Sequence, residues 1–296
     1  MLKIDLSDVP GEIVTSSIAG GVLFLLSLTI FIVVLIRYFK IYRHININQE
    51  ILTPDIAYFH EKGKRLSQED SVYISDLVDY KKTGIVACVS DGMGGLSYGD
   101  EVSEYVVDCI SKLFPLSFFA TEENAKNIRI ISDNISDHYA QQAGATLAMV
   151  NILNNYMTFY SVGDSNIMLV RKGELTILNQ KQNYLSLLVS SLVKSGKNTH
   201  VAYGNPKARA LTDFMGNAVS RVLYSVKPIR LIDGDVIIVC SDGVTDSVSD
   251  KYISQHCSQG SASGIASNLK MMVKARKSPR QDNFTGVIIK LEKPLI

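Results

Sequence analysis

The sequence predicts an α+β fold built on antiparallel sheets, and three features carry that expectation. Short apolar runs bounded by Gly, Asn and Asp recur along residues 84–291. Two stretches of helical periodicity stand between groups of such runs, and the later group reads as a series of hairpins. A doubly wound parallel sheet would instead need a crossover helix between successive strands.

Taken in order, Gly84 to Val89 is a strand that delivers Asp91 into the glycine-rich turn Gly92-Met-Gly-Gly95. Val102, Tyr105, Val106, Cys109, Ile110 and Leu113 then recur at helical spacing, with Asp100 and Glu101 in the first turn, where acids suit the helix dipole. Thr121 is placed to cap a second helix with Ala125, Ile128, Ile131, Ile135 and Tyr139 on one face. A β-meander follows: Ala145–Leu153, Tyr156–Val162, Asn166–Val170 and Glu174–Leu178, with turns at Asn154-Asn155, Gly163-Asp164 and Lys172-Gly173. Ser186–Val193 reads as a short helix and 196–209 as polar and weakly patterned. Asp233-Gly234 opens a strand over Asp235–Cys240, Ile265–Val273 is helical, and Phe284–Leu291 closes the chain as a strand.

Bulk properties exclude some functions. The 296 residues carry a net charge of only +1, so no nucleic-acid-binding footprint is expected. The four cysteines (Cys88, Cys109, Cys240, Cys257) form no CxxC pair, and Cys88 and Cys240 lie inside apolar runs, as reduced packing thiols of a cytosolic domain do. The histidines show no metal-ligand spacing.

Near the N-terminus, no charge occurs from Ile13 to Ile36. Such a stretch can cross ~30 Å of hydrocarbon at about 1.5 Å per residue. A signal peptide would want a basic start and a shorter apolar core. Here Asp5, Asp8 and Glu12 precede the run, while Arg37, Lys40 and Arg43 follow it. The expected organisation is a short extracytoplasmic N-terminus (1–12), one transmembrane helix (13–37), a juxtamembrane linker (38–53) and a cytoplasmic domain (54–296), oriented by the positive-inside rule. The chain would thus be a single-pass membrane protein.

Four acidic sites sit beside turn signals: Glu69-Asp70, Asp91-Gly92, Asp242-Gly243 and Asp282-Asn283. Asp91 and Asp242 end apolar runs, where an unpaired buried carboxylate is costly. Carboxylates brought together repel unless a cation neutralises them, and oxygen ligands without His or Cys favour Mg²⁺ or Mn²⁺. Gly92, lacking a side chain, lets its carbonyl approach such an ion.

The order of motifs resembles the metal-dependent protein phosphatases of the 2C class. The matching pieces are Arg65-Leu-Ser-Gln-Glu69-Asp70, Val89-Ser-Asp91-Gly-Met-Gly-Gly95, Gly144-Ala-Thr146, Ser161-Val-Gly-Asp-Ser165, Cys240-Ser-Asp242-Gly-Val-Thr-Asp246 and Asp282-Asn-Phe-Thr285. Six pieces in family order over residues 60–291 are far more specific than any one of them. The resemblance implies a four-layer αββα sandwich of two antiparallel sheets flanked by helices, with two Mn²⁺ or Mg²⁺ ions at one end. It implies that Asp91 bridges both ions, the Gly92 carbonyl completes one, and Asp242 and Asp282 hold the other. Glu69 and Asp70 would bind a metal or its waters, Arg65 would grip the substrate phosphate, and Asn283 would orient its neighbours. The implied partners are phosphorylated proteins, substrates of a serine/threonine kinase. Two cations that acidify a water and neutralise phosphoryl oxygens make a protein nucleophile unnecessary, which suits a chain without a Cys/His or Ser/His pair.

The sequence departs from the family pattern in places. Gln141 stands where an acid often serves a third ion, although Asp246, the other expected third-ion ligand, is present. Asn166 replaces a common Arg, and Gln182-Asn-Tyr184 replaces Asp-His-Ser at the start of a flap over about 180–215. Two other functions compete. One is a membrane-anchored sensor or binding module on the same fold, against which intact Asp91, Asp242 and Asp282 weigh. The other is a phosphohydrolase with an aspartyl nucleophile, but the Asp-x-Asp spacing Asp233-Gly-Asp235 opens a strand instead of ending one.

Overall fold

The computed structural model describes residues 22–38, 50–93, 98–140 and 142–294. Contacts divide the chain into two units, 1–50 and 51–296. In the first, residues 22–38 form helix α1, whose apolar side chains, such as Leu23, Phe24 and Ile30, are exposed. Among the described residues no helix is long and apolar enough to cross a membrane. The remainder of the expected 13–37 span, with 1–12 and most of the linker, lies outside the described residues.

The second unit is a sandwich of two antiparallel sheets. One sheet runs β1 (Thr53–Glu61), β11 (Phe284–Glu292), β10 (Val236–Cys240), β6 (Asn166–Arg171), β7 (Glu174–Ile177). The other runs β2 (Asp70–Ile74), β3 (Ile85–Asp91), β4 (Leu147–Leu153), β5 (Tyr156–Val162), β8 (Leu223–Tyr224), and β9 (Ile229–Arg230) also pairs with β5. Alternation along each strand divides its residues between two cores. Ile85, Ala87 and Val89 of β3 face the other sheet and pack with Ile237, Val239, Val287 and Ile289. Val86 and Cys88 face outward onto α3 (Gly99–Leu113) and α4 (Thr121–Tyr139), against Val106, Ile110, Ile128 and Ile135. On the opposite side Val236, Ile238 and Cys240 pack under α8 (Asp250–His256) and α9 (Ala262–Ala275), against Ile253, Ile265 and Leu269. The result is four layers, helices–sheet–sheet–helices, and central strands buried on both faces explain why these segments read as unbroken apolar runs.

Two local expectations are corrected, and two strands were not anticipated. Ala120, not Thr121, occupies the N-cap position of α4 and makes no side-chain cap bond. The meander is two hairpins in different sheets: β4–β5 and β6–β7 never share a sheet, and the turn at 163–165 carries the chain from one to the other. Strands β1 and β2 went unread because most of their residues are only half-buried and the apolar alternation is weak. The short helices α2 (Tyr80–Thr83), α5 (Tyr184–Lys194), α6 (His200–Tyr203) and α7 (Asp242–Thr245) complete the element order.

Candidate active site

One end of the sandwich gathers the acidic motifs. Asp70 and Asp91 are direct partners in the β2–β3 register, so their side chains project from the same face. On the other sheet, Asn166 pairs with Cys240 and Cys240 with Gly286, which brings the segments carrying Asp164, Asp242 and Asp282 to the same end.

Hydroxyls and amides pin these carboxylates from behind. Thr146 N donates to Asp91 O at 2.8 Å and Asp91 N donates to Thr146 Oγ1 at 3.0 Å. Thr146 Oγ1 also meets Ser165 Oγ at 2.6 Å. The Gly144-Ala-Thr146 and Ser161–Ser165 motifs are therefore supports for Asp91. Ser241 Oγ donates to Asp70 Oδ2 at 2.8 Å and accepts from Thr285 N at 3.0 Å, joining the two sheets beneath the site. Asn283 Nδ2 donates to the carbonyls of Lys62 and Ser67, and its Oδ1 accepts from Glu69 N, all within 3.0 Å. That side chain suspends the loop 62–69 and delivers Arg65, whose Nη2 donates to Asp282 Oδ2 at 2.6 Å. Two glycines permit the crowding. A Cβ at Gly92 would lie 2.2 Å from Gly99 O, and one at Gly63 would lie 2.1 Å from Asp282 O.

The outcome is a cavity of about 250 Å³ whose walls include Arg65, Glu69, Asp91, Gly92, Asp164, Arg209, Asp242 and Asp282. Of the residues singled out from sequence, Asp70 is buried as the register partner of Asp91, Asn283 holds the loop 62–69, and Asp246 belongs to an adjoining pocket. Asp246 there pairs with Arg209 Nη1 at 2.5 Å, and Gln141 lies outside the described residues. Two charged wall residues were missed. Asp164 was read only as a turn, although it sits within a quoted motif; Arg209 lay in a stretch with no pattern at all.

Charge is crowded here. Burial, followed by repulsion from Asp70, Asp242, Asp164 and Asp282, holds the Asp91 carboxyl well above the usual range. Burial, then Asp164 and Asp246, pushes Asp242 up to about 7. Burial pushes Asp70 up to about 6, against the hydrogen bond from Ser241. Asp164 is raised by burial as well. The Arg65 guanidinium is raised by its bond to Asp282.

These features fit a hard divalent cation. Asp70 Oδ1 is buried with no hydrogen-bond partner, and the neighbouring carboxylates repel one another. The walls offer oxygen donors and no His or Cys, a set suited to Mn²⁺ or Mg²⁺. Among the described residues no three His, Cys, Asp or Glu side chains already stand as a closed ligand set, and Asp282 and Asp246 are each drawn to an arginine.

Residues 60–278 match the model of the family described as protein phosphatase 2C. The chain belongs to the protein phosphatase 2C family. It is similar to a putative protein phosphatase 2C-type of Streptococcus pyogenes, 27% identical over 198 residues that cover 62% of this chain and 75% of that one. It is also similar to the serine/threonine protein phosphatase PstP of Mycobacterium tuberculosis, 29% identical over 194 residues, 62% of this chain but only 34% of PstP. Among solved structures, the Streptococcus agalactiae serine/threonine phosphatase superposes with a TM-score of 0.71 at 24% identity, covering 81% of this chain and all (100%) of that one. The PstP catalytic domain in complex with two manganese ions superposes at 0.66 with 22% identity, covering 81% and 99%. The protein phosphatase 2C fold of two antiparallel sheets flanked by helices is thereby established for residues 51–296.

Proposed function

We propose that this chain is a metal-dependent phosphoprotein phosphatase that hydrolyses phosphoserine and phosphothreonine. The observation that carries the proposal is the convergence of Asp91, Asp164, Asp242 and Asp282 with Arg65 on one cavity, beside a buried Asp70 whose second oxygen has no partner. Family membership and the manganese complex of PstP support the same reading.

Asp70, Asp91, the Gly92 carbonyl, Asp242 and Asp282 would hold the ions, with Glu69 at the rim. Two bound Mn²⁺ or Mg²⁺ ions would acidify a water and offset the charge of the phosphoryl group. The chain's own residues do the rest. Arg65 offers a planar fork to two phosphoryl oxygens, and Asn283 fixes the loop that carries it. Thr146 and Ser165 hold the Asp91 backbone still, so that its carboxylate need not reorganise during turnover. Buried aspartates crowded against one another accept cations in place of protons, which is what their raised affinity for protons signals.

The domain is read as held at a membrane by residues 13–37, with the N-terminus outside and the phosphatase domain in the cytoplasm. The charge-free run followed by Arg37, Lys40 and Arg43 supports that placement. Carbonate-resistant sedimentation of the full chain with membranes is the expected result, and release into the supernatant would refute it.

The catalytic proposal is tested by phosphate release from a phosphothreonine peptide. Release should require Mn²⁺ or Mg²⁺, stop with EDTA, and be lost in Asp91→Asn and Asp242→Asn. Activity that survives EDTA would overturn the metal-dependent reading; Mn²⁺ binding without release would favour a binding module.

A further inference from the structure

Beside the carboxylate cavity lies a second pocket, of about 130 Å³, lined among others by Arg209, Asp246, Arg276, Ser278, Arg280 and Asp282. It shares Arg209 and Asp282 with the first, so the two open side by side. Its two acids are engaged, Asp246 by Arg209 and Asp282 by Arg65. Among the described residues the other ion pairs near this edge join Lys270 and Lys274 to Glu61. Arg276 and Arg280 are thus the pocket's cations that no carboxylate takes, and both are exposed.

The cationic character extends past the pocket. Residues 274–281 contain Lys274, Arg276, Lys277 and Arg280 and no acid; residues 62–68 contain Lys62, Lys64 and Arg65 and no acid. The two segments are bound together, because Lys64 N donates to Gln281 O at 2.9 Å and Asn283 Nδ2 to Lys62 O at 2.7 Å. Cations at the end of α9 suit the helix dipole, which accounts for Lys274 and Arg276. It does not account for Arg280, which lies four residues beyond the helix C-cap at Arg276. In a chain of net charge +1, this is a local concentration of positive charge next to an acidic pit.

We propose that the pocket of Arg276 and Arg280 is a specificity subsite for a second anionic group on the substrate, a phosphate or an acidic side chain a few residues from the phosphate being removed. The inference rests on the phosphatase reading above for the first site. Arg forks bind phosphate bidentately and carboxylate nearly as well, so a doubly phosphorylated segment binds best and an acid-flanked one next. The subsite acts on substrate affinity and leaves the chemical step alone.

Two measurements on the full chain test this. Fluorescence anisotropy with Mn²⁺ present compares three peptides around one non-hydrolysable phosphothreonine analogue, a phosphonate that is not turned over: neutral flanks, a nearby glutamate pair, and a nearby second phosphonate. Wild type should bind the peptide with two phosphonates about tenfold more tightly than the neutral one, with the glutamate peptide between, in line with a charge-assisted contact. Arg276→Ala combined with Arg280→Ala should erase that order. Turnover of the corresponding phosphopeptides with Mn²⁺ should then show the same preference in KM, not kcat, with hydrolysis of the neutral-flanked peptide unchanged in the double variant. Equal affinity of wild type for all three peptides, or a preference that persists in the double variant, would overturn the subsite. A preference seen in binding without any phosphate release would leave the subsite standing and refute the catalytic reading instead.

Discussion

Strand β10 has an aspartate beyond each end, and the two are treated in opposite ways. At one end Asp235, only 1% exposed, accepts from Arg171 Nε and Nη2 at 2.8 and 2.7 Å and from Ile232 N at 2.8 Å. At the other, Asp242 shares a cavity with Asp91, Asp164 and Asp282, and the buried Asp70 keeps an oxygen without a partner. The first arrangement compensates a buried charge in full; the second gives Asp242 no ion pair among the described residues, and burial with neighbouring aspartates raises its proton affinity. A fold that needed only stability would treat both ends like Asp235. The Asp-x-Asp spacing at Asp233-Gly-Asp235, which in the sequence suggested a competing nucleophile, belongs to the compensated end.

Neutralising a carboxylate at the acidic end and removing the arginine at the other should have opposite effects. Asp91→Asn should lower phosphate release by about a thousandfold, ~4 kcal/mol of transition-state stabilisation, with the circular dichroism spectrum intact. More than a tenth of wild-type activity would deny Asp91 its central place. Arg171→Ala should do the reverse. It strands Asp235 and should cost about 2–3 kcal/mol in urea unfolding, below the ~3–5 kcal/mol of a fully buried pair because Arg171 is 36% exposed. Its kcat/KM per folded molecule should not change.

Arg65→Ala sits between these extremes. Loss of the phosphate fork should raise KM about tenfold with a smaller change in kcat, and Arg65→Lys should recover little because a point charge cannot make the bidentate contact. The smallest effect expected is on pH dependence. Asp70 and Asp242 titrate at about 6 and about 7 in the folded state, above the ~3.9 of an unfolded Asp. The folded state therefore binds more protons than the unfolded between about pH 4 and 7, and the metal-free protein should lose stability as pH rises through that window. Saturating Mn²⁺ should flatten the slope, because ions and protons compete for the same oxygens. Thermal melts from pH 4 to 8, with and without Mn²⁺, check it.

Much of the sandwich was legible from sequence because its central strands are buried on both faces. β3, β4, β5 and β10 carry apolar residues at every or nearly every position, and β5 was bounded to the residue. β1 was not legible: among the described strands it pairs only with β11, at a sheet edge, and its half-buried residues blur the pattern. The turn at 163–165 was found, but a turn signal cannot say that the next strand joins the other sheet. For that reason Asp164 was seen without its role. The carboxylates were legible through their motifs; their supports Thr146, Ser241 and Thr285 lay in the same motifs without a stated function. Arg209, Arg276 and Arg280 were invisible as a group, because their convergence is made by two segments distant in sequence, one carrying Arg209 and the other Arg276 and Arg280.

The acidic end is maintained at a cost to folding in order to hold metal, and the melting of Asp91→Asn at pH 8 shows whether this is so. Without metal, the variant should melt above wild type, because one of several crowded buried charges has been removed. With Mn²⁺, it should lose most of the rise in melting temperature that wild type shows. A variant that melts below wild type without metal and keeps the full Mn²⁺-dependent rise would contradict the account.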